Sequence, residues 1–171
     1  MGRCFSSFSH CLDVSEKVTL LSLVYSRIWL PWLLSQWLEP HGHHCYYWNS
    51  QACSWSQAEE VCIASGGNLA SIANRQTDAF LKAKGNEDFW IGGIDQGDEG
   101  KWRWTDGSSW VFTHWASGEP SGASRWLGLA IGKKEDCLMM DFSKGAWNDN
   151  ACSVLQLPLF CSQPICFGKF S

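Results

Sequence analysis

The sequence predicts a single α+β domain held by disulfides, and three observations carry that prediction. Two segments with helical periodicity precede most of the segments with strand character. Nine cysteines are scattered through the chain without a CxxC pair, which disfavours zinc and favours a disulfide framework in an oxidising compartment. The 171 residues fit one domain of ordinary size plus a short extension, and exclude two large domains. Hydrophobic residues at 45% and charged residues at 18% suffice for a real core and exclude a disordered tail or a multi-pass membrane protein. A net charge of -4 lacks the electrostatic footprint of a nucleic-acid binder, so no nucleic-acid partner is expected.

The chain divides into a leader at 1–35, a domain at 36–163 and a short tail at 164–171. Val18 to Leu38 is strongly apolar and follows a polar start with Arg3 and Lys17, as a secretory h-region or signal anchor does. Arg27 and Pro31 interrupt the run and no small-x-small cleavage site follows, so a cleaved signal peptide, an uncleaved signal anchor and an atypical extension all fit; secretion is the expectation and a type II membrane anchor the alternative location. His41, His43 and His44 read as a solvated strand entry, and an aromatic strand begins at Cys45, Tyr46, Tyr47 and Trp48. A helix follows: Ser56 and Glu59 have capping-box spacing, Trp55, Ala58, Val61 and Cys62 recur at helical intervals, and Gly66 and Gly67 stop it. A second helix fits Asn74 to Lys84, with Asn74 as N-cap, Ala79, Phe80 and Ala83 on one face, and Gly85 at the end. Strand signals then run at Phe89 to Ile94, at Lys101 to Trp104, across an Asp106-Gly107 turn and at Ser109 to Trp115. Residues 116–135 break the pattern as a glycine-containing loop, too long for a tight hairpin and of the kind that carries function. Strands return at Cys137 to Phe142, around Trp147 and at Leu157 to Cys161.

Glu119, Glu135, Asn148 and Asp149 are hard-oxygen side chains in three separate segments, two of them beside tryptophan or cysteine anchors. This is the ligand type calcium requires, whereas zinc would want His or Cys. Carboxylates of Glu119, Glu135 and Asp149, the Asn148 carbonyl, the Asp149 backbone carbonyl and Ser121 supply about six of the six to eight oxygens calcium takes. Asp98 and Glu99 are an acidic pair, but no nucleophile, base and orienting residue form a set with them, so an enzyme is not expected.

Nine pieces occur in order: CYYW at 45–48, WSQAEEVC at 55–62, GGNLASI at 66–72, FWIGG at 89–93, WRWTDGSSW at 102–110, EPS at 119–121, EDC at 135–137, WND at 147–149 and Cys161. Together they resemble the C-type lectin and C-type lectin-like domain family over roughly residues 36–163. The resemblance implies two helices with antiparallel sheets, a long calcium- and ligand-binding loop, and disulfides Cys62–Cys161 and Cys137–Cys152. It leaves Cys4, Cys11, Cys53 and Cys166 unassigned, and it implies a partner for Cys45 just upstream at the domain entry, where residues 32–36 hold no cysteine. An odd cysteine total leaves at least one thiol free or intermolecular, which allows a disulfide-linked oligomer.

For function, the resemblance implies a calcium-dependent lectin that binds carbohydrate, reading terminal mannose- or galactose-type sugars on cell or microbial surfaces. Glu119, Ser121, Glu135, Asn148 and Asp149 would hold the Ca2+ and the sugar hydroxyls, and the peptide before Pro120 would be cis. Asp95, Glu99 and Asp136 would form a partial auxiliary calcium site, with Gly122 standing where a ligand is usual. Ser121 departs from both the mannose-type Asn and the galactose-type Asp. The thirteen residues between EPS and EDC are nearer the galactose-type loop, in which a tryptophan stacks on the sugar, and Trp126 is the candidate. The rival expectation is a lectin-like domain without sugar binding that recognises a protein or another surface such as ice.

Overall fold

The computed structural model describes residues 39–126 and 129–164, without the side chains of 123–133. The predicted leader and residues 165–171 of the tail lie outside that range. β1 (Glu39–His41) and β2 (His44–Cys53) form an antiparallel pair that leads into α1 (Trp55–Ala64), β3 (Asn68–Leu69) and α2 (Arg75–Lys84). β4 (Phe89–Ile94), β5 (Arg103–Trp104), β6 (Ala123–Trp126), β7 (Leu129–Lys134), β8 (Cys137–Asp141), β9 (Ala146–Asn150) and β10 (Leu157–Gln163) follow. The main sheet runs β1-β2-β10-β4-β8-β9, with β3 added to β10 and β5 to β4. Its pairs are antiparallel apart from β10 with β4, which are parallel at Leu159 and Trp90. Among the described residues no helix is long and apolar enough to cross a membrane.

Alternation along the central strands fills both faces of this sheet. Trp90, Met139, Leu159 and Cys161 point into one core with Trp55, Ala58 and Cys62 of α1. Phe89, Ile91, Leu138, Met140 and Phe160 point into the other with Leu81 of α2 and Trp147. A period of two buried on both sides is what a central strand shows. Two indoles cross the layers as donors: Trp55 Nε1 to the Ile91 carbonyl and Trp90 Nε1 to the Cys53 carbonyl, both at 2.9 Å.

The disulfides form as expected, Cys62–Cys161 closing 99 residues and Cys137–Cys152 closing 15. Cys45 and Cys53, whose pairing the sequence left open, are disulfide-bonded too.

Several elements differ in detail from the sequence reading. The N-cap of α1 is Ser54 rather than Ser56, because Gln57 Oε1 accepts from both the Ser54 amide (3.1 Å) and hydroxyl (2.9 Å). Glu59, freed from capping, instead accepts from the Leu69 amide (2.8 Å) and the Asn68 side chain (2.7 Å), tying α1 to β3. Asn74 caps α2 through Thr77 N–H (2.9 Å), as expected. The buried face of α2 is Thr77, Asp78 and Leu81, with Phe80 half-buried and Ala79 and Ala83 exposed. Ser109 to Trp115 is not a strand: its aromatic rings turn onto Trp147, and only Trp115 makes a single bridge, to Trp147. The 116–135 loop does contain paired strands, β6 with β7.

Candidate functional site

Three segments bring the predicted ligands together at the β9 end of the sheet. β9 carries Trp147, fully buried, then Asn148 half-buried and Asp149 at 1% exposure. The segment 114–122 lies along its start: Trp147 N–H donates to the His114 carbonyl (2.7 Å), Ala116 N–H to the Trp147 carbonyl (2.8 Å), and Glu119 N–H to the Ala116 carbonyl (3.0 Å). The Glu119–Pro120 peptide is cis, as expected. The third segment is the β7–β8 connection, where Glu135 N–H donates to the Gly122 carbonyl (3.3 Å).

Asp149 is the hub of this arrangement. Its Oδ1 accepts from Ser121 N–H (3.0 Å) and its Oδ2 from Gly122 N–H (2.7 Å), while the Ser121 hydroxyl donates to Glu135 Oε2 (2.7 Å). Glu119 Oε2 is buried without a partner. Burial pushes the Glu119 carboxyl up from its usual range, a hydrogen bond with Asp149 and its charge push the same way, and Ser121 and Lys144 oppose them. Glu119, Ser121, Glu135 and Asp149 therefore meet. Asn148 is next to Asp149 in the strand, with no side-chain bond to the other four among the described residues.

The auxiliary residues lie alongside. Asp95 is 2% exposed; its Oδ2 accepts from Gly100 N–H (2.9 Å), its Oδ1 has no partner, and its amide donates to the Asp136 carbonyl (3.2 Å). Burial raises the Asp95 carboxyl, the Gly100 amide opposes this, and the charges of Glu99, Asp136 and Asp149 add to the rise. Glu99 is exposed, with Oε2 paired to Lys134 Nζ at 3.3 Å and Oε1 only 2.6 Å from where a Cβ on Gly122 would stand. Gly122 has a φ of 71°, so a ligand-bearing side chain there meets both a strained backbone and Glu99.

Calcium is tested by this chemistry rather than by a finished cage. Among the described residues no group of three or more His, Cys, Asp and Glu side chains is gathered as a metal centre. The donors are all hard oxygen, carboxylates that repel one another are held side by side, and two buried carboxylate oxygens stay unpartnered. These features fit a divalent cation of the calcium type. Each Asp149 oxygen accepts one backbone amide, which leaves it a further lone pair. Trp126 lies on β6, and its side chain, like Leu127, lies outside the described residues.

Two polar residues that the sequence reading missed support Trp147: Asp78 and His114. Asp78 Oδ1 accepts from Trp147 Nε1 and Oδ2 faces His114 Nδ1, both at 2.7 Å. The sequence carried no local signal for them, since the apolar face expected of α2 was Ala79, Phe80 and Ala83 and the observed one is Thr77, Asp78 and Leu81.

Fold and site together define a lectin-like domain. Residues 51–163 match the family described as Lectin C-type domain, and the chain belongs to that family. It is 36% identical over 120 residues to the galactose-specific lectin nattectin of Thalassophryne nattereri, covering 67% of this chain and 70% of nattectin. Longer receptor relatives are matched over little more than a third of their length. Among solved structures, the carbohydrate-recognition domain of cow CD23, crystallised with a GlcNAc2Man3 oligosaccharide, superposes with a TM-score of 0.67 at 29% identity over 75% of this chain and 93% of that one. A calcium-independent type II antifreeze protein superposes with a TM-score of 0.62 at 26% identity over 74% of this chain and 91% of that one.

Proposed function

We propose that this domain is a secreted, calcium-dependent lectin that binds terminal mannose- or galactose-type sugars through Glu119, Ser121, Glu135, Asn148 and Asp149. The observation that carries the reading is the Glu119 and Asp149 pair: two carboxylates held together, one with a buried, unpartnered oxygen and a raised titration. A cation removes that repulsion, and when bound it leaves coordination positions for vicinal sugar hydroxyls. The same carboxylates and the Asn148 amide are then hydrogen-bond partners for those hydroxyls. The disulfides support an oxidising compartment, with residues 1–35 as signal or, alternatively, a type II anchor. The auxiliary site of Asp95, Glu99 and Asp136 binds more weakly, because Lys134 already balances Glu99 and Gly122 brings no ligand. Nothing in the set calls for catalysis, and binding is the role.

The second reading, a lectin-like domain that recognises a protein or ice without calcium, has its own observation. Both Asp149 oxygens and one Glu135 oxygen are already satisfied by Ser121 and Gly122. Retention on galactose and mannose resins separates the two: the calcium reading expects elution by chelator, and retention unchanged by chelator, or none, favours the rival. Ser121→Asn supplies an amide carbonyl and donor in place of the short hydroxyl and is expected to raise calcium and mannose affinity. Trp126→Ala is expected to lower galactose retention selectively, which monosaccharide competition reads directly.

A further inference from the structure

The two arms of the site, 114–122 and β9, join upstream of their ligands, where Trp147 and His114 are linked through the backbone. The same two residues also turn their rings to one carboxylate, that of Asp78 on α2, 36 residues before His114 and 69 before Trp147. Asp78 is 3% exposed, and burying a carboxylate is costly unless its oxygens are bonded. Here each oxygen has a ring partner at 2.7 Å. Indole nitrogen can only donate, so Trp147 requires an acceptor, and the carboxylate also selects the His114 form with a proton on Nδ1. The rings of Trp104, Trp110, Phe112 and Trp115 surround Trp147 within 6 Å, so its indole has one bonded orientation.

We propose that Asp78 is a positioning residue for the ligand-binding surface, a buried carboxylate that fixes the spacing of the two arms by holding Trp147 and His114 together. The proposal builds on the calcium reading given above, but the joint itself exists in the calcium-free chain. Its register is passed on by short links: Ala116 to Glu119 on one arm, and Trp147 to Asp149 on the other, closed by the Ser121 and Gly122 amides on Asp149. Groups hydrogen-bonded directly to a ligand typically change metal affinity by about ten- to a hundredfold when removed; Asp78 stands one link further back, on the neighbours of the ligands, so the expected change is at or below the low end of that range.

The test is nuclear magnetic resonance on the 15N-labelled domain, comparing wild type with Asp78→Ala, Asp78→Asn and His114→Ala, first with chelator and then in a calcium titration. The Trp147 indole N–H signal reports the bond to Asp78, and hydrogen exchange of the Ser121 and Gly122 amides reports the seam between the arms. In Asp78→Ala the expected result is an indole signal moved upfield, Ser121 and Gly122 exchanging about tenfold faster or more, amides of β2 and β10 unchanged, and calcium affinity down by up to about tenfold. Asp78→Asn, which keeps one acceptor, loses less. His114 has a side chain one-third exposed, so His114→Ala carries the same readout should the Asp78 variants not fold. Unchanged Ser121 and Gly122 exchange overturns the proposal, as does an acceleration spread equally through β2 and β10, which is loss of stability alone. A wild type that binds no calcium refutes the calcium reading, and the exchange rates then still decide the role of Asp78.

Discussion

Asp141 and Glu119 titrate in opposite directions for reasons visible in their surroundings. Burial works against ionisation of Asp141, but the Ser143 hydroxyl (2.7 Å), the Lys144 amide (3.0 Å) and the Lys144 ammonium (3.2 Å) outweigh it and hold the carboxyl below its usual range. A carboxyl depressed in the folded state stabilises above its unfolded value, near pH 4, and loses that contribution as pH falls through the folded value. Asp141→Asn is therefore expected to flatten the acid limb of stability below about pH 4, measured by thermal melts across pH. Glu119 is raised, so in chelator its contribution is present at low pH and lost as pH rises through its folded value; Glu119→Gln reduces that loss. At this scale the candidate ligands stood out in the sequence because EPS, EDC and WND are contiguous words. Asp78 and His114 were not, since a bond across 36 residues leaves no local pattern.

Among elements, the strands that are buried on both faces were read well, and the segments whose apolar residues serve another purpose were not. Trp110 and Phe112 alternate as a strand would, yet with Trp115 they pack on Trp147. Capping of α1 slipped by two residues because Gln57 and Glu59 both have the chemistry of a capping partner, and only the approach of β3 decides which is free. Gly92 in β4 shows the same dependence on neighbours: a Cβ there would sit 2.5 Å from the Leu69 carbonyl oxygen and 3.1 Å from its carbon, backbone atoms that cannot step aside. Gly92→Ala is expected to destabilise by about 1–3 kcal/mol, read as a lower urea midpoint with an unchanged slope.

At the scale of the molecule, the two described disulfides divide their work by loop length. Cys62–Cys161 fastens α1 to β10 across 99 residues, and its removal by paired Ala substitution is expected to cost about 4–5 kcal/mol through the unfolded chain. Cys137–Cys152 closes 15 residues and is expected to cost about 3 kcal/mol; it also joins β8 to the end of β9, so calcium affinity should fall with it. Urea unfolding of each pair with and without calcium checks both. The pairings were readable only through the family resemblance, because cysteine spacing alone permits many connectivities. The central claim is that Glu119, Glu135 and Asp149 form a cation site whose occupant also reads sugar. Calorimetric titration of calcium into the refolded domain tests it most directly. The expected result is one principal binding event per chain, abolished by Asp149→Ala and by Glu135→Ala. An absence of binding heat in the wild type, or heat that survives either substitution, contradicts it.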